Sequence, residues 1–365
     1  MNQHNPNQLS QVIIKGLKSI KNCDLELKNI NVLIGSNGAG KSNFISAFTL
    51  LQNVLEQNLS RYTSRKGVDA LLHKGAKVTD SIEVEVFFGT NSYAFELEVT
   101  DGKTLMFREE RIVEENSTWG DGGYGESKWS DATKNSHVSI DLAATLSDRQ
   151  WRTYHFQDTT PTSKIKAEHN LSNCDILRQD ASNLAAFLYR LKQHYSTEYK
   201  NIVESIRLIA PYFKDFVLEP NENNKELIVL RWQEIDCEDI FNASQLSDGT
   251  LRFICLATLL LQPTTLQPAT IIIDEPELGL HPLAIVIFAE LVKKAAVNKQ
   301  IILSTQSAEL LDNFDADDVV VVDRGKDKDG SQFSRLNSTE LSEWLEDYTL
   351  GELWNKNILG GRFSR

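Results

Sequence analysis

The stretch Gly35-Ser36-Asn37-Gly38-Ala39-Gly40-Lys41-Ser42 constrains this 365-residue chain more than any other. It fits G-x-x-x-x-G-K-[ST]. It follows the β-branched run 30–34 and precedes Phe44, Ile45, Phe48 and Leu51 at helical spacing. A buried strand, a glycine-rich turn and an immediate helix over 42–55 are therefore expected. Glycines let such a loop wrap so that backbone N–H groups and the helix N-terminus face phosphate groups, which side chains would otherwise block. Lys41 is then placed to reach the β- and γ-phosphates of a nucleoside triphosphate, and the Ser42 hydroxyl to serve as a ligand of Mg²⁺. Ser36, Asn37, Gly38, Ala39, Gly40, Lys41, Ser42 and Asn43 are the expected nucleotide-binding residues, with ATP and Mg²⁺ as ligands.

A second motif answers the first. The run Thr270-Ile-Ile-Ile-Asp274-Glu275-Pro276 reads as an apolar strand carrying two carboxylates to its C-terminal end, where open α/β sheets bind ligands. Asp274 suits the magnesium water shell, and Glu275 suits a general base taking a proton from an attacking water. Around them, strands and helices alternate: helix 246–261, helix 282–296, strand 301–303, helix 308–314 and strand 319–322. Such alternation predicts a mainly parallel sheet covered on both faces.

Between the two motifs the pattern changes. Residues 82–88, 93–99 and 105–113 alternate apolar and polar side chains with turn residues between them, as an antiparallel meander does. Residues 116–134 have no periodicity and are expected to be a surface loop. From 181 to 209 the spacing becomes helical, closed by Pro211, and suggests an inserted helical arm; 227–232 reads as a strand. The expected organisation is an N-terminal ATPase lobe over 1–170, a helical arm over 171–222, a C-terminal lobe over 223–330 and a tail over 331–365 that packs or docks a partner. The fold class is α/β, a P-loop NTPase with a mainly parallel core, an antiparallel β-region and an inserted arm.

Composition narrows the setting. No apolar run approaches the roughly 18 residues of a membrane helix, and residues 1–10 form a polar stretch, expected to be solvated, without the charged and apolar regions of a secretory signal. Four cysteines without a CxxC pair suggest neither a zinc site nor a disulfide framework, and fit a reducing cytoplasm. The formal charge of −13 opposes a general phosphate-backbone binder. Basic stretches at 61–77 and 149–166 leave a local patch open, beside the simpler account of solvated loop charge.

Leu246-Ser247-Asp248-Gly249-Thr250, before the helix 251–261, resembles the signature of ABC-type ATPases. In that family the Ser and Gly, here Ser247 and Gly249 with Asp248 between them, contact the γ-phosphate of ATP held by the opposite subunit. Lys41 and Asp274 stand 233 positions apart (274 − 41), and by resemblance the inserts are longer than in transport ATPases. The chain is similar to predicted ATPases of the AAA-21 group, relatives of RecF, the OLD nucleases and the structural-maintenance-of-chromosomes heads. The residues carrying this are Ile14-Lys-Gly-Leu-Lys-Ser19, the P-loop, Tyr154-His-Phe-Gln-Asp158, Asn183-Leu-Ala-Ala-Phe187, the signature, Glu275-Pro-Glu-Leu-Gly-Leu-His-Pro282 and the ending 344–354.

Two positions depart from the pattern. Gln306 stands where relatives place a switch histidine; its amide donates to a phosphate oxygen but carries no charge and takes no proton. Gln157 is the candidate for the glutamine that senses Mg²⁺, with an ordinary surface glutamine as the alternative. The resemblance also implies that the segment through His281 runs along a dimer interface, with a helix-capping histidine before Pro282 as the alternative.

By resemblance, ATP is held in a sandwich between two copies, in a dimer or a higher oligomer. About 40 residues follow Asp323, too few for a fused nuclease domain, so a separate effector such as a Toprim-like nuclease is expected, with anti-phage defence as a setting. Two alternatives stay open: a RecF-like repair ATPase that clamps nucleic acid through the dimer or its partner, and an ATP-binding scaffold with slow turnover. A transporter subunit and a membrane partner are not expected.

Overall fold

The computed structural model describes residues 8–115, 117–134, 146, 150–324 and 329–361. Two six-stranded sheets organise them. The first is antiparallel, in the order β2-β1-β4-β5-β6-β7, from β1 (Gln11–Leu17), β2 (Ile20–Glu26), β4 (Ser81–Phe88), β5 (Asn91–Val99), β6 (Leu105–Glu114) and β7 (Ser117–Asp121). The second runs β17-β16-β3-β15-β14-β8, from β3 (Ile30–Ile34), β8 (Trp151–Tyr154), β14 (Thr270–Asp274), β15 (Gln300–Thr305), β16 (Val319–Arg324) and β17 (Ser331–Arg335). All its neighbours pair in parallel except β16 with β17. Smaller sheets join β9 (His169–Asn170) to β11 (Leu227–Ile228), and β10 (Phe213–Val217) to β12 (Arg231–Glu234) and β13 (Ile240–Asn242).

Alternation along the parallel strands sends successive side chains to opposite faces. Val32, Ile34, Ile271, Ile273, Ile301, Leu303, Val319 and Val321 join one core, while Leu33, Ile272, Ile302, Val320 and Val322 join the other. On the second face lie α1 (Lys41–Leu55), α2 (Leu59–Lys66), α3 (Val68–Leu71) and the inward side of the antiparallel sheet. On the first lie α5 (Leu184–His194), α6 (Ser196–Ile209), α7 (Asp248–Leu261), α8 (Pro282–Ala296) and α9 (Ala308–Leu311). Strands without an amphipathic pattern are thus explained: both faces are covered.

The helices expected as an inserted arm are present at 184–209, and Leu184, Phe187, Leu188, Ile202 and Ile206 are buried in the same core as α7 and α8. Several expectations elsewhere need correction. The stretch 116–134 is not wholly loop, since β7 pairs with β6 and α4 (Trp129–Lys134) follows; Asn116 lies outside the described residues. The expected strand 227–232 divides between two sheets, and β2 was not anticipated. Gln8 and Leu9 are buried, so the inner end of the polar N-terminal stretch is not a solvated tail; residues 1–7 lie outside the described residues.

Strand β6 also breaks simple alternation. Glu109 faces Glu96 but Phe107 faces Leu97, so Arg108 is an extra residue, a β-bulge, and the buried side shifts from Leu105 and Phe107 to Glu110 and Ile112. Glu110 is fully buried, and its carboxylate accepts hydrogen bonds from Tyr93 Oη (2.6 Å), Tyr124 Oη (2.8 Å), Ser127 Oγ and the Lys128 backbone N–H (2.9 Å). That side chain, together with the Phe107 N–H donating to Tyr124 O (2.8 Å), ties the segment 124–128 to the sheet.

Candidate functional site

Parallel register lines up the C-terminal ends of the central strands. Thr305 pairs with Ile34, Asp274 with Ser304, and Tyr154 with Ile273. The residues that follow, Gly35 and the glycine-rich loop, Gln306, Glu275 and His155, therefore share one rim of the sheet.

The loop leads directly into the 15-residue helix α1, with Gly40 at its N-cap (φ 123°). A Cβ on Gly40 would stand 2.1 Å from Ser331 Oγ, and Ser331 Oγ itself donates to Ala39 O, so glycine is required there. Gly38 (φ +78°) borders open space, and Asn37 and Ser42 are exposed, so the loop presents an accessible helix N-terminus. Lys41 is 4% exposed, and its Nζ donates to Gly35 O (2.6 Å) and Ser36 O (3.2 Å). Burial lowers its pKa, while the nearby Glu275, Asp274 and Glu277 carboxylates act in the opposite sense. A buried ammonium facing three carboxylates beside open backbone N–H groups fits a triphosphate with a divalent cation between phosphate and acids. The Asn43 side-chain amide donates to Ser19 Oγ (2.7 Å).

The acids are held from β15. Asp274 accepts from Ser304 Oγ, and His155 Nδ1 lies 3.9 Å from its other oxygen. Glu275 adopts φ 48°, in the left-handed region that costs a non-glycine residue about 1–2 kcal/mol. Its backbone N–H donates to Ser304 O (3.0 Å), which fixes that geometry. Gln306 Nε2 donates to Glu275 Oε1, so the switch residue and the candidate base are already joined. Gln157 lies just beyond β8 with its side chain exposed, while its carbonyl accepts from Arg252 Nη2 (3.1 Å). His155 of this segment also lies beside Asp274.

Glu277 escaped sequence reasoning. Its Oε1 accepts from Thr305 Oγ1 (2.6 Å) and the Gln306 N–H (3.1 Å), so it holds the backbone that presents Gln306, and its Oε2 is buried without a partner among the described residues. Burial raises its pKa, and the Glu275 charge adds to the effect. The native chain thus holds this proton more firmly than the unfolded chain. Its contribution to stability is full below the unfolded value of about 4.3 and is lost as pH rises through the native value. Glu277→Gln should therefore gain stability relative to the parent between pH 5 and pH 8, read from denaturant midpoints at both; an equal difference at the two pH values would contradict this.

The signature residues stand apart. Ser247 caps α7, its Oγ accepting from the Thr250 N–H (3.1 Å), and both Ser247 and Asp248 are exposed. Among the described residues no hydrogen bond joins 247–249 to the glycine-rich loop. A Cβ on Gly249 would meet Gly279 O at 2.3 Å, so the helix start packs backbone to backbone against the turn after Glu275. Arg252, 6% exposed, donates to Phe156 O (3.0 Å) and Gln157 O, tying α7 to the end of β8. A lone arginine in an otherwise apolar helix was the signal that could have found it. His281 caps α8, its Nδ1 accepting from the Leu283 N–H (3.3 Å), and is exposed with Leu278 and Leu283.

This fold and rim define a P-loop NTPase of the ABC-type head class. The profile of the family described as "AAA domain, putative AbiEii toxin, Type IV TA system" matches residues 30–312. The chain belongs to this family of ATPases. It is 40% identical over 91 residues to the structural maintenance of chromosomes protein 3 of Arabidopsis thaliana, covering 24% of this chain and 7% of that protein's length. Among solved structures it is similar to an Smc head bound to the C-winged helix domain of ScpA (TM-score 0.61, 16% identity, 92% of this chain and 99% of the other). A Pyrococcus furiosus structure, an Smc head domain with an extended coiled coil bound to the C-terminal domain of ScpA, gives TM-score 0.58 at 15% identity over 93% and 98% of the two chains. No described helix is long and apolar enough to cross a membrane.

Proposed function

We propose that this protein binds ATP with Mg²⁺, hydrolyses it between two face-to-face copies, and through that cycle controls a separate effector protein in the cytoplasm. One observation supports this: Lys41, Asp274, Glu275 and Gln306 meet on one rim, while Ser247 stands exposed at the start of α7 with no hydrogen bond, among the described residues, to the glycine-rich loop. A site needing both sets is completed by a second copy, related by a two-fold axis that makes two equal sites.

Within each site, Lys41 leaves the Gly35 and Ser36 carbonyls to neutralise the β- and γ-phosphates, and the loop N–H groups hold them in place. Ser42 and Asp274 would hold Mg²⁺, which would neutralise the charge that develops on the phosphate oxygens. Glu275 Oε takes the proton of the attacking water. Gln306 orients Glu275 through its amide and, once freed, donates to a γ-phosphate oxygen. Gln157, at the end of β8, is proposed to join the magnesium shell. Ser247 Oγ and the N-terminus of α7 from the other copy close over the γ-phosphate. The acidic charge of −13 opposes direct clamping of DNA, and the family resemblance implies a separate effector, a nuclease of a defence system, instead.

Mixing two inactive variants tests the shared site. Lys41→Ala spoils the site on its own chain, and Ser247→Arg spoils the site on its partner. A mixed dimer keeps one intact site. The mixture should therefore recover about a quarter of parental turnover, from the half of randomly paired dimers that are mixed. Turnover no greater than that of the two variants alone would exclude the sandwich.

A further inference from the structure

The C-terminal segment reaches the glycine-rich loop of the candidate site through a contact the proposed cycle does not use. Helix α10 (Ser342–Leu345) is followed by α11 (Leu350–Asn355), whose Leu350, Leu353 and Trp354 are buried against the core. Gly351 approaches α9 so closely that a Cβ would meet Ala308 O at 2.5 Å, and its N–H donates to Asp312. Helix α9 begins two residues after Gln306, with Ser307 as its cap. Beyond α11 the chain turns at Asn357 (φ 58°), its Ile358 N–H donating to Leu353 O (3.0 Å), and returns to the glycine-rich loop. There Gly361 O accepts from the Ser36 N–H at 3.1 Å. Gly361 has φ +79°, and a Cβ would stand 2.9 Å from Val321 Cγ1 and 3.1 Å from Trp354 Cζ3, so only glycine brings the carbonyl to that place.

The peptide unit between Gly35 and Ser36 is one rigid plane. Its carbonyl oxygen accepts from Lys41 Nζ, and its N–H donates to Gly361. The lysine that reaches for phosphate and the C-terminal segment are thus held by opposite ends of a single group. At its other end the same segment grips the helix that follows Gln306. We propose that residues 350–361 form a strap that holds the nucleotide-free arrangement of the loop and is loosened when Lys41 turns to phosphate, so that occupancy of the site is passed to the surface around α10 and α11. This rests on the nucleotide-binding function proposed above. A contact made in only one state opposes the ligand that favours the other, and the opposition is reciprocal. Removing the strap must therefore tighten nucleotide binding by the same factor by which nucleotide loosens the strap.

The test uses the full chain and a non-hydrolysable ATP analogue with Mg²⁺. Calorimetry establishes binding, and hydrogen–deuterium exchange then follows the amides of 350–361. Exchange there should quicken about fivefold or more on binding, and a chain ending at Asn357 should bind the analogue more tightly by about the same factor. Gly361→Ala, which displaces the carbonyl without shortening the chain, should do likewise and covers the case in which the shortened chain fails to fold. If the analogue binds while strap exchange and the affinity of Gly361→Ala stay unchanged, the strap is wrong and the nucleotide site stands. If the parent binds no analogue, the nucleotide site itself fails and the strap with it.

Discussion

Glu275→Gln is expected to lower steady-state ATP turnover by at least about 100-fold, the usual contribution of a positioned general base, while nucleotide binding persists. The amide keeps the size and the hydrogen bond with Gln306 but accepts no proton from water. Two features already prepare Glu275 for this role. Its left-handed backbone is fixed by Ser304, and Gln306 holds one carboxylate oxygen. Because binding survives and turnover does not, the variant with ATP should also accumulate as a dimer in light scattering. Turnover within threefold of the parent would remove Glu275 from the chemistry and leave a binding protein.

Glu110→Ala should destabilise the antiparallel lobe by about 3 kcal/mol or more, seen as a lower unfolding midpoint. The substitution strands two tyrosine hydroxyls, a serine hydroxyl and a backbone N–H, all partnered now by one buried carboxylate. Glu110→Gln should cost less, because hydroxyl groups can turn to accept from the new amide; the Lys128 N–H cannot. A midpoint unchanged in the alanine variant would mean that the segment 124–128 is not held by this side chain.

These two residues also divide what sequence could and could not reveal. Glu275 was legible because its place follows from strand order: an apolar run ending in two acids, in a chain with a P-loop upstream, has one end at which to present them. Glu110 was not, because alternation read along β6 carries it to the outer face; the extra residue at Arg108 reverses that phase, and a bulge leaves no local mark in composition. Glu277 was hidden for a different reason. It sits in a turn with no periodicity, and only the approach of β15 gives its carboxylate the Thr305 hydroxyl and the Gln306 N–H as partners. The helices at 184–209 were recognised as helices, but their burial was not, since an apolar stripe states that a face is covered and not what covers it.

What the sequence alone determined was the set of local elements whose signals are contiguous: the strand–loop–helix of the P-loop, the acid-tipped strand and the capped signature helix. Each is encoded within about 20 residues, where spacing and glycine placement suffice. Tertiary structure decided which distant groups meet. Parallel pairing of β3, β15 and β14 brought Gln306 to Glu275, and the return of the chain after α11 placed Gly361 on Ser36, 325 positions away (361 − 36). Such contacts depend on register and close packing between elements far apart in the chain, and no local pattern specifies them.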